Sequence, residues 1–398
     1  MTKKVIVIGR GTAGAMTMMH MHRWLPRSEE KPLELEWHYD PNIQPQAVGE
    51  GSTLVLPRSL YAAFDFTAYN LPEINGTPKY GILKENWGEN GKETFFHPFG
   101  SAEIGYHFNA IGLQNYVFNA IKDSVKVVEN TVTDPEELDC DNVIDCTGTP
   151  QDFKKLETVT TVAVNSVYVT QCWWSKPEFY YTLAIARPYG WVFGIPLTNR
   201  CSIGYMYNNT INTLEEVKED VQYIFNKWNL TPSDTTNSFS FKNYTRKTNF
   251  TDRVTYNGNS SFFLEPLEAT SITTMDYINR MFYDLCANNI SLPKANDNYK
   301  LWMDRTRLIL ALHYCSGSKF NTPFWQYARE QTLDFVKEFR HKDHQLFFIL
   351  KILKKGRDLK TVNQYLPFQD PYSTWWIGSF KQNIEGLGIE DIVYDNIP

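Results

Sequence analysis

A glycine-rich turn near the start of the chain has the spacing that binds the phosphates of a dinucleotide. A short apolar strand runs into Gly9, Gly11 and Gly14 in the pattern G-x-G-x-x-G, and a helical segment follows. The first glycine allows a tight turn, the second lets the backbone approach a pyrophosphate, and the third lets the helix pack on the strand. The helix N–H groups then face the phosphates. The alternative is an ordinary glycine turn, but the order of strand, motif and helix favours a bound dinucleotide.

An acidic residue after the second predicted strand is a candidate ligand for the ribose of that dinucleotide. Apolar and charged residues alternate over positions 33–39, which predicts a strand. Asp40 follows it, slightly farther from Gly14 than the usual distance of about 20 residues. The alternative is that residues 40–42 simply form a turn.

The remaining chain divides into a β-rich part and a helical part. The first helix is predicted after Gly14, running through Met16 to Leu25 and ending at Pro26, because proline cannot continue a helix. Residues 50–109 are rich in glycine and proline and are expected to form loops over a scaffold. A strand is predicted at 143–146, a second sheet over 159–174 and 180–205, and helices over 272–286, 299–314 and 324–353. Because no flexible linker separates the parts, we expect interleaved domains.

Composition narrows the classes of function. The chain has 398 residues, 42% of them hydrophobic, and a net charge of −6, which does not favour nucleic acid as a partner. There is no apolar run of membrane-spanning length and no apolar leader before Lys3, so we expect a soluble, cytoplasmic protein that binds no membrane. The six cysteines lack C-x-x-C spacing, so we expect reduced thiols and no metal site.

Several segments together resemble the flavin-dependent halogenases of the tryptophan-halogenase type. They occur in the family's order along residues 5–325, which makes the set more specific than any single motif. The matching segments are 9–14 (GRGTAG), 48–53 (VGEGST), 76–82 (GTPKYGI), 106–109 (YHFN), 145–148 (DCTG), 191–196 (WVFGIP), 266–271 (PLEATS), 312–314 (LHY) and 322–325 (TPFW).

The resemblance implies an α/β protein with a Rossmann-type, GR2-like FAD-binding fold, a second β-sheet and a mainly helical C-terminal substrate region. The implied division is an FAD-binding domain at 1–270, interleaved with the inserted sheet, and a substrate-binding region at 271–398. The implied reaction uses FAD as FADH2, O2 and chloride, bromide or iodide. Halide attack on a flavin hydroperoxide gives hypohalous acid, which halogenates an electron-rich aryl or heteroaryl small molecule. A separate flavin reductase is expected, because the sequence shows no second nucleotide motif.

Two residues take the catalytic roles under this resemblance. Lys79 matches the family's essential lysine, whose ammonium donates a hydrogen bond to hypohalous acid or whose amine carries the halogen as a haloamine. Glu268 matches a carboxylate that stabilises the positive ring and accepts its proton. Without the surrounding motifs, Lys79 would be read as a solvated surface lysine and Glu268 as an acid favoured by a helix N-terminus. His313 is left out of the catalytic set, because a histidine on an apolar helical face is more often a core residue.

The other site residues fall into three groups, and some positions depart from the family. Phe193 stands in place of a tryptophan, Ser271 in place of a glycine, and Asn109 and Asn259 in place of aspartates. The serine suggests a preference for a larger, more easily oxidised halide. The groups are cofactor binding (Gly9, Gly11, Thr12, Ala13, Gly14, Asp40, Gly49, Glu50, Ser52, Gly148, Gly258), halide binding by backbone N–H groups (Thr270, Ser271), and separation of flavin from substrate (Trp191, Phe193, Ile195, Pro196).

Two other functions stay open at this stage. A flavin-dependent aromatic monooxygenase would oxygenate without halide and would not need Lys79. A non-catalytic flavin-binding scaffold would need neither Lys79 nor Glu268, and the presence of both in matching segments argues against it. The chain is shorter than typical tryptophan-specific members, so we expect a trimmed, open substrate region. The sequence leaves the acceptor, the regiochemistry, carrier attachment and the oligomeric state, a homo-oligomer included, undetermined.

Overall fold

The structure is a computed structural model that describes residues 3–24, 33–43, 49–99, 103–356, 377–395 and 397. The expectations for Val48 and for the helix end at Leu25 and Pro26 lie outside these residues.

Strands carry the first two thirds of the chain. In chain order they are β1 (Lys3–Ile8), β2 (Leu33–Tyr39), β3 (Gly49–Gly51), β4 (Thr77–Lys79), β5 (Gly81–Glu85), β6 (Thr94–Pro98), β7 (Gly105–Asn109), β8 (Lys126–Glu129), β9 (Asn142–Asp145), β10 (Leu156–Thr158), β11 (Ser166–Trp173), β12 (Thr182–Arg187), β13 (Gly190–Pro196), β14 (Arg200–Tyr207), β15 (Pro232–Ser240), β16 (Tyr244–Arg246), β17 (Val254–Tyr256) and β18 (Phe262–Phe263).

Helices dominate the last third. The α-helices are α1 (Thr12–Trp24), α2 (Val55–Phe64), α3 (Ala110–Ile121), α4 (Leu214–Lys227), α5 (Thr270–Cys286), α6 (Leu292–Cys315), α7 (Pro323–Lys342), α8 (His344–Lys354), α9 (Ile377–Leu387) and α10 (Glu390–Tyr394). Short 3₁₀ helices occupy Ala68–Ile74, Pro135–Glu137, Gly258–Ser260 and Leu267–Ala269. Among the helices of the described residues, none has both the length and the apolar character needed to cross a membrane.

The first sheet is the predicted Rossmann-type sheet. Its strand order is β17-β9-β1-β2-β8, and every neighbouring pair is parallel. The carboxyl end of β1 leads through the glycine turn into α1, so the turn lies at the edge where ligands of such sheets bind. The predicted α/β fold is therefore confirmed.

The second sheet has seven strands in the order β15-β11-β14-β13-β12-β5-β6. Residues of β5, β6, β12 and β13 alternate between its two faces, as a strand period of two requires. One face shares the main hydrophobic core with α5, α6 and α9, and the other packs against α4. A three-stranded sheet, in the order β3-β7-β4, brings residues 49–53 of the VGEGST segment, which we call the second candidate flavin loop, beside Lys79.

Three sequence predictions need correction. Residues 50–109 are not mainly loop, because they contain α2 and five strands whose short lengths were hidden by the surrounding glycines and prolines. The first helix begins at Thr12, inside the glycine motif, rather than after Gly14. The single helix predicted over 324–353 is two helices that meet at Asp343, whose carboxylate accepts the N–H groups of Gln345 and Leu346 and so caps α8.

Candidate active site

The glycine turn has the geometry that its spacing predicts. Gly9 has a φ of 101°, and a Cβ there would lie 2.4 Å from the carbonyl oxygen of Cys146. A Cβ on Gly14 would lie 2.0 Å from the Gly9 carbonyl oxygen, so only glycine lets α1 approach β1 this closely. A Cβ on Gly11 would have no atom within 4 Å. Gly11 therefore faces open space, as a glycine that makes room for a pyrophosphate should.

Two further glycines have positive φ angles near the glycine turn. Gly148 has a φ of 106° and faces open space at the end of β9. Gly258 has a φ of 60°, and a Cβ there would lie 2.4 Å from the Cβ of Ala13. Gly258 therefore lets the 3₁₀ turn after β17 pack directly on the first turn of α1.

The second candidate flavin loop is connected to α1 by hydrogen bonds. The hydroxyl of Thr12 donates to Glu50 Oε1 at 3.0 Å and accepts from the Gln114 side chain at 3.2 Å. Desolvation raises the pKa of Glu50 to about 7. Gly49 pairs with Asn109 of β7. These bonds fix β3 against the glycine turn.

Ser52 and Asp40 have partners within the protein. The Ser52 hydroxyl is fully buried and accepts the N–H of Tyr106, which ties the loop to β7. Asp40 follows β2, where its carboxylate accepts the Thr131 hydroxyl at 2.6 Å and the Asn42 N–H at 2.8 Å. The structure thus leaves both cofactor assignments as predictions.

Lys79 ends β4, and its ammonium is buried. The side chain is 1% exposed, and its Nζ would lie 3.3 Å from a Cβ placed on Gly51. Within the described residues, Lys79 Nζ has no hydrogen-bond acceptor or ion-pair partner, and it lies 5.2 Å from the centroid of the Phe99 ring. Desolvation lowers the pKa of Lys79 to about 8, against the opposing charge of Glu268. The reading of Lys79 as a solvated surface lysine is therefore wrong.

Glu268 lies in a strained turn between a 3₁₀ helix and α5. Its φ is 67°, and Ala269 has a φ of 53°, so two consecutive residues with side chains occupy the left-handed region. Such conformations are costly and cluster at functional sites. With this backbone conformation the Glu268 side chain lies in the core, where its carboxylate is fully buried.

Three basic side chains surround this carboxylate, and together with it they form what we call the Glu268 cluster. Lys84 of β5 makes an ion pair with Glu268 Oε1. His313 Nε2 of α6 lies 3.2 Å from Oε1, and His97 Nδ1 of β6 lies 3.5 Å from Oε2. Burial alone would raise the pKa of Glu268, but the Lys84 charge beside it holds that pKa well below its usual range.

Sequence reasoning missed Lys84 and His97 and set His313 aside. The exclusion of His313 rested on its apolar helical surroundings, but the same face meets the polar cluster. A signal existed in β5, where Lys84 shares a face with Ile82 because side chains two residues apart point the same way. A lysine on the inner face of a buried strand is rare unless it is paired.

The predicted halide site lies at the first turn of α5. Thr270 and Ser271 are its first two residues, so their N–H groups belong to the unsatisfied donors of a helix N-terminus. The buried Thr270 Oγ1 has no hydrogen-bond partner among the described residues. The helix dipole and these donors favour an anion at this position.

The strand β13 is buried along its whole length and carries the four residues predicted to separate flavin from substrate. The Trp191 indole donates to Glu265 Oε2 at 2.9 Å and to the Tyr314 oxygen at 3.1 Å. Phe193 covers Gly204 of β14 so closely that a Cβ there would lie 2.0 Å from its ring. Ile195 is buried, and the Pro196 carbonyl accepts the Thr77 hydroxyl at 2.7 Å. Thr77 lies two residues before Lys79, so β13 is tied to the strand that carries the lysine.

A model of one family matches most of the chain. The model, described as tryptophan halogenase, matches residues 4–130 and 116–345. The chain belongs to the tryptophan halogenase family. The family resemblance drawn from the motifs is thereby confirmed.

Individual relatives agree with this assignment. Tryptophan 6-halogenase ThaL of Streptomyces albogriseolus is 23% identical over 439 aligned positions, which cover 84% of this chain and 81% of ThaL. Tryptophan 7-halogenase RebH of Lentzea aerocolonigenes is 28% identical over 158 residues, which cover 38% of this chain and only 29% of RebH. The solved structure of Xcc4156, a flavin-dependent halogenase from Xanthomonas campestris, has a TM-score of 0.72 at 18% identity, with 84% of each chain covered. The family is one of flavin-dependent enzymes, and this chain shares its fold.

Proposed function

We propose that this member of the tryptophan halogenase family is an FADH2-dependent halogenase of electron-rich aryl or heteroaryl small molecules, with Lys79 and Glu268 as its catalytic residues. The observation that carries the proposal is a buried lysine without a partner among the described residues, close enough to a buried carboxylate for their charges to interact. An unpaired buried charge is costly, and a protein retains one where it binds or reacts.

The residues around the glycine turn fit FAD. Gly9 and Gly14 shape the turn, and Gly11 and Gly148 face open space that a side chain would fill. The N-terminus of α1 supplies N–H donors and a positive dipole end for the pyrophosphate. Bound reduced FAD, together with oxygen and halide, would supply hypohalous acid.

Lys79 then acts on the oxygen of hypohalous acid, and Glu268 acts on the aromatic ring that receives the halogen. The Lys79 ammonium holds the oxygen of hypohalous acid by a hydrogen bond and gives it a proton as the oxygen–halogen bond breaks, so water leaves. The aromatic carbon forms its bond to halogen and loses its hydrogen as a proton to the Glu268 carboxylate. A return of that proton from Glu268 to Lys79 resets both groups, so atoms and charges balance.

The remaining groups of the site position halide and exclude water. The N–H groups of Thr270 and Ser271, two and three residues after Glu268, would hold halide, and we propose that Ser271 favours a larger halide. The strand β13, fixed through Trp191 and Pro196, would keep the aryl substrate apart from the flavin. A separate flavin reductase would supply FADH2.

The test is turnover by the whole chain with FAD, a flavin reductase, NADH, oxygen and each halide in turn, on a mixed panel of phenols, indoles and anilines. Mass spectrometry should find halogenated products with the wild type and none with Lys79→Ala or Glu268→Gln. Products that contain oxygen but no halogen, formed without halide, would instead identify a monooxygenase.

A matched control separates loss of chemistry from loss of folding. Glu36→Gln also removes a buried carboxylate, one held by Lys4 at 3.1 Å and by Lys126 at 2.8 Å in the first sheet. This variant should keep turnover. If Glu36→Gln abolishes halogenation as completely as Glu268→Gln does, the catalytic assignment of Glu268 fails.

A further inference from the structure

Lys84 is a second buried lysine beside Glu268, and the reaction described above gives it no task. Its side chain is fully buried on the inner face of β5. It lies opposite Phe95 of β6, whose ring centroid is 5.7 Å from Nζ, and beside Ala184 of β12. This face also carries His97 and the residues of β13 that point towards the core, so Lys84 belongs to the wall of the candidate site.

The surroundings of Lys84 match the needs of an ammonium group. Its Nζ contacts Glu268 Oε1, His313 Nε2 at 2.7 Å and Asn383 Oδ1 of α9. An ammonium has three N–H donors and no acceptor, so it suits a position where a carboxylate, an imidazole nitrogen and an amide oxygen all face Nζ. A neutral amine has only two N–H groups and would leave one of these contacts without a donor.

The tautomer of His313 supports the same arrangement. His313 Nδ1 lies 3.0 Å from the carbonyl oxygen of Ile309, which can only accept, so Nδ1 carries the proton. In the neutral ring Nε2 is then an acceptor, and it faces Lys84. Burial and the Lys84 charge lower the pKa of His313, which keeps the ring neutral near pH 7.

The contrast between the two lysines is informative. Lys79 has no acceptor among the described residues, and its charge is available to a ligand. Lys84 is held by groups from α6, α9 and the turn before α5. In the described part of the chain, the charged or titratable groups that act on Glu268 are all basic. They are Lys79 of β4, Lys84 of β5, His97 of β6 and His313 of α6, and of these four Lys84 makes the close lysine–carboxylate ion pair.

We propose that Lys84 is a positioning residue that holds Glu268 as an oriented carboxylate and links α9 to the catalytic turn. Without the Lys84 ammonium, Glu268 would be a buried carboxyl group beside two neutral rings and the charge of Lys79, which makes no ion pair with it, and it would take up a proton more readily. A protonated Glu268 cannot accept the ring proton. The catalytic task of Glu268 rests on the proposed function, but its ionisation does not, so the ionisation is the quantity to measure.

The test is infrared difference spectroscopy of the whole chain between pH 5 and pH 8, without substrate or turnover. Subtracting the spectrum of Glu268→Gln assigns the Glu268 band in the wild type. We expect a carboxylate stretch at every pH in the wild type. Each Lys84 variant, Lys84→Met and Lys84→Gln, is compared with its double variant that also carries Glu268→Gln. In both we expect a protonated carboxyl stretch within this pH range, because the pKa of Glu268 should be at least about one unit higher than in the wild type. Lys84→Arg should restore the carboxylate.

Glu85→Gln is the matched control. Glu85 is the next residue of β5, points to the opposite face, and pairs with Lys227 at 2.6 Å. Its loss removes a neighbouring ion pair without touching the Glu268 cluster, so Glu268 should stay ionised.

The outcomes separate the two proposals. A protonated Glu268 in the wild type, or an unchanged carboxylate in a folded Lys84→Met or Lys84→Gln protein, overturns the role of Lys84, whatever the protein halogenates. If Lys84 behaves as expected but the wild type yields no halogenated product, the proposed function fails and the positioning role stands.

Discussion

Replacement of Lys79 by methionine should abolish activity and stabilise the protein. The ammonium is buried without a partner among the described residues, and its pKa falls from 10.5 to about 8. At about 1.4 kcal/mol for each pKa unit, the charged form destabilises the folded state by about 3 kcal/mol. Methionine has nearly the same length and carries no charge. Lys79→Met should therefore raise the free energy of unfolding at pH 7 by about 3 kcal/mol.

The stability difference between the wild type and Lys79→Met should decrease as the pH rises. Below pH 8 both the folded and the unfolded lysine are protonated, and the destabilisation is complete. Between about pH 8 and pH 10.5 the unfolded lysine binds more protons than the folded one, so the stability of the wild type rises with pH relative to Lys79→Met. By pH 10 the charge-dependent part of the difference should fall below about 1 kcal/mol.

Urea unfolding of both proteins, without added flavin, at pH 7 and pH 10 measures these differences. Lys342→Met, at an exposed lysine of α7, is the control and should change stability by less than about 0.5 kcal/mol. Either a loss of stability in Lys79→Met at pH 7 or an equal gain at both pH values would refute the reasoning.

Three further predictions follow from the same geometry. Halogenation should decline as pH rises through about 8, because Lys79 then loses the proton that it donates, and the alkaline limb of kcat/KM measures this. Gly11→Ala should fold normally but bind FAD more weakly in a fluorescence titration, whereas Gly14→Ala should fail to fold by circular dichroism. Glu265→Leu leaves the Trp191 indole without its carboxylate acceptor, which should cost about 2 kcal/mol in urea unfolding.

Local patterns in the sequence predicted the dinucleotide half of the fold well. The strand at 33–39 has the predicted bounds, and Gly9, Gly11 and Gly14 each have the environment that their motif requires. These features depend on residues close in sequence, since a turn, a strand period and a helix start are all local. The break between α7 and α8 at Asp343 was not predicted, because an N-cap inside a run of helical periodicity resembles any other polar position.

The Glu268 cluster was not predicted, because the residues that meet in it are distant from one another in the sequence. Lys84 and His313 are 229 residues apart, and Lys84 and Asn383 are 299 apart. Their meeting depends on the strand order of the second sheet, where β5 lies between β6 and β12, and on the packing of α6 and α9 over it. No spacing rule along the chain encodes that order. The family resemblance located Glu268 itself but contained no information about what holds it.

The most direct test of the central claim is the mass spectrum of the aryl products formed by the wild type with FAD, a flavin reductase, NADH and oxygen, in bromide buffer and in halide-free buffer. The account predicts a product with the paired isotope peaks of bromine in bromide alone, and its absence in Lys79→Ala. A brominated product that Lys79→Ala forms equally well, or an oxygenated product in both buffers, would contradict it.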